Sequence, residues 1–558
     1  MAPAKRIPPL VLHDGRQPVD PNIVIVVLDD GGAEWFDWSG LLEPAAGFVK
    51  HPRLSELRAR GVTFTRAYAC PICAPSRARL WSGSYGFDLG LAGNPATFDD
   101  YAFCGGGASI ANWQNPPPIT ARLLPRLLRI GRDGSDELPP AEQSYASASF
   151  GKSHLHSDEG RETWPIDHGL LRYVGCQPNA GKLPQAQTQK GHFQFAEVTH
   201  SAGGAPSVKV WGAPGVWPNG GPYVAYDTSV APDAGWDAYT VYRNAVQWMN
   251  TRTKPFLALV NFNPPHAPFE VPPFDAPDDV GHGASGGRFA VISRETRARM
   301  LELDGGGKGP GWVPPFPVPD VYVDERRAIY RANLEAIDTL IGTMWDRLDP
   351  VLRARTVFLV IGDNGTVSNV VDAPYDAGRA KRTPYEMGAR VPCVAWGPPD
   401  IVGAPGRTSD HLVHIVDLLP TVLEITRCDP ELWNPEGSRV IRGRSIAGIL
   451  RDAATRPGRD HVYNELFLPL NGTRDGPVPI DPSRWIRTYT DGKHKIIERP
   501  TSTEMYRIDA SVRPSSGLPG YLERPEDDLF PLVGTPGNED LTQRFLALQA
   551  ELHALVES

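Results

Sequence analysis

Three long apolar runs predict strands that are buried on both faces. They span residues 22–28, 256–260 and 356–361, and most of their side chains are aliphatic or aromatic. A continuous run of this kind is typical of a parallel strand in the middle of a sheet. Each run is followed by polar residues, and ligands bind beyond the carboxyl ends of strands in open α/β sheets. The pattern therefore predicts a site at one end of an α/β sheet.

Helical and irregular segments lie between these strands. Residues 61–68 predict a further strand, and residues 326–348 carry apolar side chains close to helical spacing. Residues 90–118 show no regular pattern. Residues 264–319 are rich in proline and glycine, which predicts a long loop insertion, ordered or partly mobile, over one face of the sheet.

The pattern changes beyond about residue 440. Short strands spaced like an antiparallel meander are followed by a final helix. We therefore predict a mixed, mostly parallel sheet flanked by helices in residues 1–440 and a smaller α+β domain with an antiparallel sheet in residues 441–558. The elements predicted for the smaller domain are strands at 460–467, 485–489 and 494–497 and a helix at 540–555.

Composition indicates a soluble globular enzyme. The 558 residues are 41% apolar and 22% charged, and the formal net charge of -9 disfavours a nucleic-acid partner. Six cysteines are too few for a disulfide framework. The first 20 residues lack a signal-peptide core, and no run approaches the roughly 18 apolar residues of a membrane span. We therefore expect a cytoplasmic protein without a membrane partner.

The most specific segment runs from Cys73 to Gly83 and reads CAPSRARLWSG. Cys70 and Cys73 form a C-x-x-C pair, which by itself could be a redox pair at a helix start or half of a zinc site. Zinc would need a second pair of nearby ligands, which the other four cysteines do not supply. A redox pair would leave residues 75–77, Pro-Ser-Arg, without a purpose.

Two acidic pairs follow predicted strands and could hold a metal ion. Asp29 and Asp30 end the first strand, and Asp363 and Asn364 end another. Three carboxylates and one amide oxygen form an all-oxygen set that suits Ca²⁺ or Mg²⁺. Either pair alone is also compatible with an ordinary turn that its side chains stabilise.

The segment beginning at Cys73 resembles the signature of the type I sulfatases, which is C-x-P-S-R followed by Leu and Gly at fixed offsets. The resemblance implies an alkaline-phosphatase-like fold and oxidation of Cys73 to formylglycine by a dedicated maturation enzyme. One hydroxyl of the hydrated aldehyde would attack sulfur, and the other would then expel sulfate. Arg77, one helical turn later, would stabilise the ionised nucleophile. The two acidic pairs would be calcium ligands, with Mg²⁺ less expected.

Four more positions resemble the sulfate-binding segments of that family. Residues 151–155, GKSHL, resemble its G-K-x-H-L segment, with Lys152 as a sulfate partner and His154 as the base that acts on the second hydroxyl. On an extended segment these two side chains would share one side. His266 resembles the histidine that faces the leaving oxygen, and Lys381 resembles a lysine that binds sulfate. Any one of them alone would more often be a solvated lysine or a structural histidine.

The sequence therefore predicts a hydrolase of organic sulfate monoesters. The first alternative is a phosphonate or phosphate ester hydrolase on the same scaffold, although such relatives generally carry His at the position of Asn364. The others are a non-enzymatic protein that retains the fold and a thiol oxidoreductase that uses Cys70 and Cys73. Aryl, alkyl and sugar sulfates all remain open as substrates, and so does the oligomeric state. His156 and His168 are interpreted as structural, and Met387 replaces a glycine of the family pattern.

Overall fold

The structure is a computed structural model. It describes residues 20–89, 123–129, 145–155, 169–175, 195–199, 207–212, 223–225, 236–267, 269–303, 323–427, 441–452, 459–467, 484–511 and 515–557.

Three sheets account for the strands of the described residues. In chain order the strands are β1 Asn22–Leu28, β2 Gly61–Tyr68, β3 Ala146–Gly151, β4 Arg172–Gly175, β5 Phe195–Thr199, β6 Ser207–Gly212, β7 Tyr223–Ala225, β8 Phe256–Phe262, β9 Asp275–Pro277, β10 Arg288–Ala290, β11 Thr356–Gly362, β12 Arg390–Trp396, β13 Arg407–Ser409, β14 Val413–His414, β15 Val462–Phe467, β16 Trp485–Thr490, β17 His494–Arg499 and β18 Ser502–Arg507.

The large sheet has the order β13-β2-β12-β11-β1-β8-β3-β4-β5-β6-β7, and β14 also pairs with β2. Its centre, β11-β1-β8-β3-β4, is parallel throughout. Antiparallel pairs join β12 to β11 and β2, and β5 to β4 and β6. The predicted mixed, mostly parallel sheet is confirmed.

Helices pack on both faces of this sheet. The α-helices of the described residues are, in chain order, α1 Pro52–Arg58, α2 Cys73–Ser82, α3 Gly86–Leu89, α4 Leu124–Arg129, α5 Asp237–Asn250, α6 Arg294–Glu302, α7 Val323–Arg347, α8 Pro350–Arg353, α9 Glu386–Ala389, α10 Leu418–Ile425, α11 Ala447–Arg451 and α12 Glu539–Glu557.

The position of β1 between two core clusters explains why residues 22–28 are apolar without alternation. Its residues Val24 and Val26 join a core cluster with α5 and α7, whereas Ile23 and Ile25 join a second cluster with α2 and α10. Successive side chains of a strand point to opposite faces. Because a helical layer covers each face, both sets are apolar, as the run of residues 22–28 predicts.

The strands predicted at 256–260 and 356–361 are present and end within two residues of their expected bounds. The long helix is confirmed as α7. The long loop insertion predicted for residues 264–319 contains regular elements, since β9, β10 and α6 lie within it, while residues 268 and 304–319 lie outside the described residues. Proline and glycine often mark the ends of helices and strands, and here they separate short elements. Residues 90–118 lie outside the described residues.

The predicted antiparallel meander is the sheet β15-β16-β17-β18, and the final helix is α12. Phe545 and Leu548 of α12 pack in one cluster with Tyr463 of β15. Tyr85 and Phe87 of the larger part join the same cluster. The proposed boundary near residue 440 remains a prediction, and the two parts share a core.

In the part of the chain that the structure describes, no helix has the length and apolarity that crossing a membrane requires. Cys104, Cys176 and Cys428, together with His156 and His168, lie outside the described residues.

The two-sided burial of β1 predicts the effect of truncating it. Ile25→Ala removes a fully buried side chain and should lower the free energy of unfolding by about 2–5 kcal/mol. The measurement is the urea midpoint of unfolding, compared with Val351→Ala, whose parent side chain is 74% exposed. The control should lie within about 0.5 kcal/mol of the parent protein. Equal midpoints for both variants would contradict the burial of β1.

Candidate active site

The two acidic pairs meet at the carboxyl end of the central parallel strands. Asp29 and Asp30 follow β1, while Asp363 and Asn364 follow its parallel neighbour β11. The Asp30 amide donates to Asp363 Oδ1 at 3.1 Å, and Asn364 Nδ2 donates to Asp30 Oδ1 at 2.8 Å. All four side chains are buried. Adjacent parallel strands that end at the same level therefore bring together residues more than 330 positions apart.

Cys73 is the first residue of α2, which begins beside this cluster. Pro75 fits the first helical turn because its missing N–H would have no partner there, and Gly83 ends the helix with φ 67°. The sulfur of Cys73 and carboxylate oxygens of Asp29 and Asp363 all lie within 4.8 Å of one another. The motif places the candidate nucleophile directly against the acidic cluster.

Arg77 lies one turn after Cys73 and is buried. Its guanidinium donates twice to Asp363 Oδ2, from Nε at 3.1 Å and from Nη2 at 2.8 Å. Nη1 donates to the Lys152 carbonyl at 2.9 Å and to Asn261 Oδ1 at 3.0 Å. The arginine thus joins α2 to the ends of three other segments.

Lys152 and His154 follow β3, whose last residue, Gly151, has φ 91°. A Cβ at Gly151 would lie 1.8 Å from the Asn261 carbonyl oxygen, so the close approach of β8 requires glycine. Lys152 Nζ donates to Asp29 Oδ2 at 2.5 Å. The expectation of an extended segment is wrong, because the chain turns at His154 with φ 53°. A turn at this position is a tertiary feature that the local pattern does not reveal.

His266 and Lys381 lie on the more open side of the site. The Lys381 ammonium contacts Asp30 Oδ1, and His266 Nε2 lies 3.9 Å from Asp30 Oδ2. Their side chains are 7% and 17% exposed, whereas those of Asp29 and Lys152 are fully buried. Among the described residues of the site, His266 and Lys381 are therefore the most exposed. With these two, the structure brings together all ten residues that the sequence singled out.

Sequence reasoning missed two further residues that touch the site. Asn261 is a polar position within the apolar strand β8, and a buried amide there was a signal that could have been read. Tyr330 of α7 donates to the Asp30 carbonyl at 2.5 Å. Asp30 itself has φ 61°, a left-handed conformation that is uncommon outside glycine. Nothing in the local sequence pairs Tyr330 with it.

The carboxylates of the cluster differ in their affinity for protons. Burial alone raises the pKa of Asp29, but the charges of Lys152 and the other cations bring it below its usual range. Burial and the neighbouring Asp29 raise the pKa of Asp363 to about 7, against the opposing effect of Arg77. In the absence of a metal ion, the pKa values of Asp29 and Asp363 are therefore shifted in opposite directions.

Both histidines have lowered pKa values. Burial and the nearby Lys152 bring the pKa of His154 well below its ordinary value. Burial lowers the pKa of His266 more than Asp30 raises it. Burial also acts to lower the pKa of Lys381, but Asp30 and the other nearby anions outweigh it and raise that pKa above its ordinary value. The site thus offers a protonated lysine beside two neutral imidazoles.

The residues of the acidic cluster fit a divalent cation. Asp29 Oδ1 and Asn364 Oδ1 are buried and accept no hydrogen bond among the described residues, which is costly without another ligand. The donor set is entirely oxygen, as Ca²⁺ and Mg²⁺ prefer. The three carboxylates face three cationic side chains, so a divalent cation would leave the site positive and suited to an anion.

The sequence model of the family described as Sulfatase matches residues 21–129 and 144–427, which is well over half of the chain. The chain belongs to the sulfatase family. Arylsulfatase G of Mus musculus is 22% identical over 565 residues, covering 95% of this chain and 86% of that protein. N-acetylgalactosamine-6-sulfatase of Rattus norvegicus is 23% identical over 444 residues, covering 77% and 65%. This sulfatase is accordingly a sulfuric ester hydrolase.

Solved structures of the same fold support the architecture of this sulfatase. The phosphonate monoester hydrolase of Agrobacterium radiobacter superposes with a TM-score of 0.59 at 17% identity, covering 96% of both chains. A protein solved in complex with its substrate D-glucosamine-2-N,6-O-disulfate gives a TM-score of 0.55 at 17% identity, covering 96% and 97%. Identities this low establish the fold alone.

The two buried oxygens that accept no hydrogen bond from the described residues predict how the acidic cluster responds to a metal ion. The chelator-treated sulfatase should bind one Ca²⁺ per chain, and Asp29→Asn should weaken binding at least about 10-fold because one anionic ligand is lost. Isothermal titration calorimetry with Ca²⁺ and with Mg²⁺ measures both. Asp346→Asn is the matched control, since that carboxylate is 44% exposed and bonded to Arg53. Equal Ca²⁺ affinity in Asp29→Asn and the control would refute the site.

Proposed function

We propose that this sulfatase hydrolyses an organic sulfate monoester with Cys73, oxidised to formylglycine, as the nucleophile. The observation that carries the proposal is the position of Cys73. Its sulfur lies within 4.8 Å of oxygens of Asp29 and Asp363, at the start of a helix that also presents Arg77. The complete C-x-P-S-R motif supports the modification.

The hydrated aldehyde explains why a cysteine stands there instead of a serine. One hydroxyl attacks sulfur as the bond from sulfur to the alkoxide oxygen breaks, and the alcohol leaves. The second hydroxyl then loses its proton, its carbon–oxygen bond becomes the aldehyde double bond, and sulfate leaves with the other oxygen. Asp363, which has an oxygen within 4.8 Å of the Cys73 sulfur, would accept the proton of the attacking hydroxyl.

We further propose that Asp29, Asp30, Asp363 and Asn364 hold a divalent cation, with Ca²⁺ preferred to Mg²⁺. The ion would neutralise the incoming sulfate and favour ionisation of the attacking hydroxyl. Arg77, Lys152 and Lys381 would offset the remaining charge of the sulfate group. All three already contact the acidic cluster, so an anion entering it meets cations on several sides.

The two histidines would serve different steps. His154 is neutral at neutral pH and can take the proton of the second hydroxyl. His266 Nδ1 lies 2.6 Å from the Ala267 carbonyl, which only accepts, so Nδ1 carries the hydrogen. The neutral ring then offers only a lone pair at Nε2. It could protonate the leaving oxygen only as imidazolium, which a bound sulfate favours, and Lys381 is the alternative acid.

The ester itself is an aryl, alkyl or sugar sulfate. The names of the arylsulfatase and N-acetylgalactosamine-6-sulfatase relatives, and the sulfated glucosamine bound in a solved structure, support a small sulfated molecule or saccharide. Besides the ester, the proposed partner is the maturation enzyme that generates formylglycine. A second candidate function is hydrolysis of phosphonate or phosphate esters, which the likeness to the phosphonate monoester hydrolase favours.

The first prediction from this proposal concerns activity and modification together. Protein produced with the maturation enzyme should show residue 73 as an aldehyde in peptide mass spectrometry, and should hydrolyse an aryl sulfate faster than the matched aryl phosphonate. Cys73→Ser should lose turnover and retain sulfate covalently, because serine lacks the second hydroxyl.

A fully active protein with an unmodified thiol at residue 73 would refute the mechanism. Faster turnover of the phosphonate than of the sulfate would favour the second candidate function. Cys393→Ser is a suitable control, since that buried cysteine lies on β12 outside the acidic cluster.

The second prediction separates the histidines. Loss of a general acid or base costs about 10²–10⁴-fold in the step it serves. His154→Ala should slow sulfate release, so rapid mixing should reveal a burst of alcohol before a slow steady state. His266→Ala should slow the first step, abolish any burst, and affect esters with poor leaving groups most. If both variants lack a burst and share one leaving-group dependence, the assignment of steps is wrong.

A further inference from the structure

Almost every donor of the Arg77 guanidinium is committed within the protein. An arginine has five N–H groups. Nε and one Nη2 hydrogen serve Asp363, and Nη1 serves the Lys152 carbonyl and Asn261 Oδ1. The remaining hydrogen is on Nη2, the nitrogen that lies 3.8 Å from Asp29 Oδ1. Asp29 shares the 4.8 Å cluster with the Cys73 sulfur, and the Arg77 guanidinium interacts electrostatically with Cys73, so this end of the guanidinium lies toward the nucleophile.

The Asn261 amide can present only its oxygen to Arg77. Its Nδ2 donates to Ser149 Oγ at 3.2 Å and to the Phe150 carbonyl at 3.4 Å. A carbonyl accepts and never donates, so the amide nitrogen must face β3 and Oδ1 must face the guanidinium. The side chain is only 4% exposed, which leaves water little room to replace either contact.

Asn261 also fixes the neighbouring cation through its backbone. The Lys152 amide donates to the Asn261 carbonyl at 3.1 Å, and the Lys152 carbonyl accepts from Arg77 Nη1 at 2.9 Å. With the contact between Arg77 and Asn261, these bonds form a closed triangle. Two cations that face the candidate sulfate position are therefore oriented against one residue of β8.

We propose that Asn261 is a positioning residue: it sets the plane of the Arg77 guanidinium so that one Nη2 hydrogen is directed to the nucleophile. The expected effect on kcat rests on the proposed function, whereas the geometric argument applies to any tetrahedral oxyanion bound at the site. Truncating Asn261 would leave one Nη1 hydrogen buried without an acceptor. The guanidinium would then rotate to regain a partner, and its alignment on the nucleophile would be lost.

The test is a double-mutant cycle between Asn261→Ala and Arg77→Ala in the formylglycine-containing sulfatase. We expect Asn261→Ala to lower kcat by about 10–100-fold, as supporting residues of a site commonly do, with a smaller change in KM. In the Arg77→Ala background, Asn261→Ala should cost less than about 3-fold, because it acts through the arginine. Full additivity of the two losses would overturn the proposal. Arg77→Lys provides a second background if Arg77→Ala fails to fold.

Asn22→Ala is the matched control. Asn22 is also a buried strand asparagine whose Nδ2 donates to two acceptors, but it lies at the opposite end of the sheet, at the start of β1. The Asn22→Ala variant should lower the melting temperature about as much as Asn261→Ala and leave kcat within about 2-fold of the unaltered protein. A loss of kcat in Asn22→Ala equal to that in Asn261→Ala would attribute the effect to stability and overturn the positioning role.

Binding of inorganic vanadate and sulfate, measured by calorimetry, separates this proposal from the reaction itself. Asn261→Ala should weaken vanadate binding about 10-fold or more, and Asn22→Ala should not. If the unaltered protein turned over no sulfate ester while this difference held, the reaction would be wrong and the positioning role would stand. If it turned over the ester and both variants bound vanadate equally, the positioning role would be wrong.

Discussion

Three carboxylates buried at the ends of adjacent parallel strands impose the constraint on which the rest of the site depends. Buried anions are costly unless they are paired or bind a cation. Each here meets an ammonium or guanidinium, from Lys152, Arg77 or Lys381. The same negative charge that demands these partners would also suit a divalent cation, as we propose. Metal binding and sulfate binding would then arise from one electrostatic arrangement.

The cations come from different parts of the chain, so only the complete fold can assemble them. Arg77 extends from the first turns of α2, Lys152 follows β3, and Lys381 lies in the segment between β11 and β12. These segments reach the same end of the sheet because the strands that lead into them run in the same direction as β1. Lys152 follows β3, and the segment of Lys381 follows β11. A shift of any one strand by one residue would turn a buried charge away from its partner.

The smaller C-terminal sheet contacts two of these segments. Arg79 of the nucleophile helix is fully buried and donates to Asn464 Oδ1 at 2.6 Å on β15. Lys495 of β17 donates to Glu386 Oε1 at 3.2 Å, at the start of the short helix that follows Lys381. Lys495 and Glu386 form a buried ion pair, and removing either partner would leave an uncompensated charge and destabilise the protein. The described residues of the C-terminal part therefore contact segments that carry site residues.

The sequence by itself determined the local chemistry and the strands that carry it. The apolar runs located β1, β8 and β11 because burial on both faces favours apolar side chains at nearly every position, and the motif at Cys73 carries its residue spacing within one helix. The tertiary structure alone decided which distant side chains meet. His154 adopts a left-handed conformation, Gly151 fits closely against β8, and the contacts of Asn261 depend on which strand lies beside β3. Such contacts are set by strand order and register, which a one-dimensional pattern of apolar and polar residues does not encode.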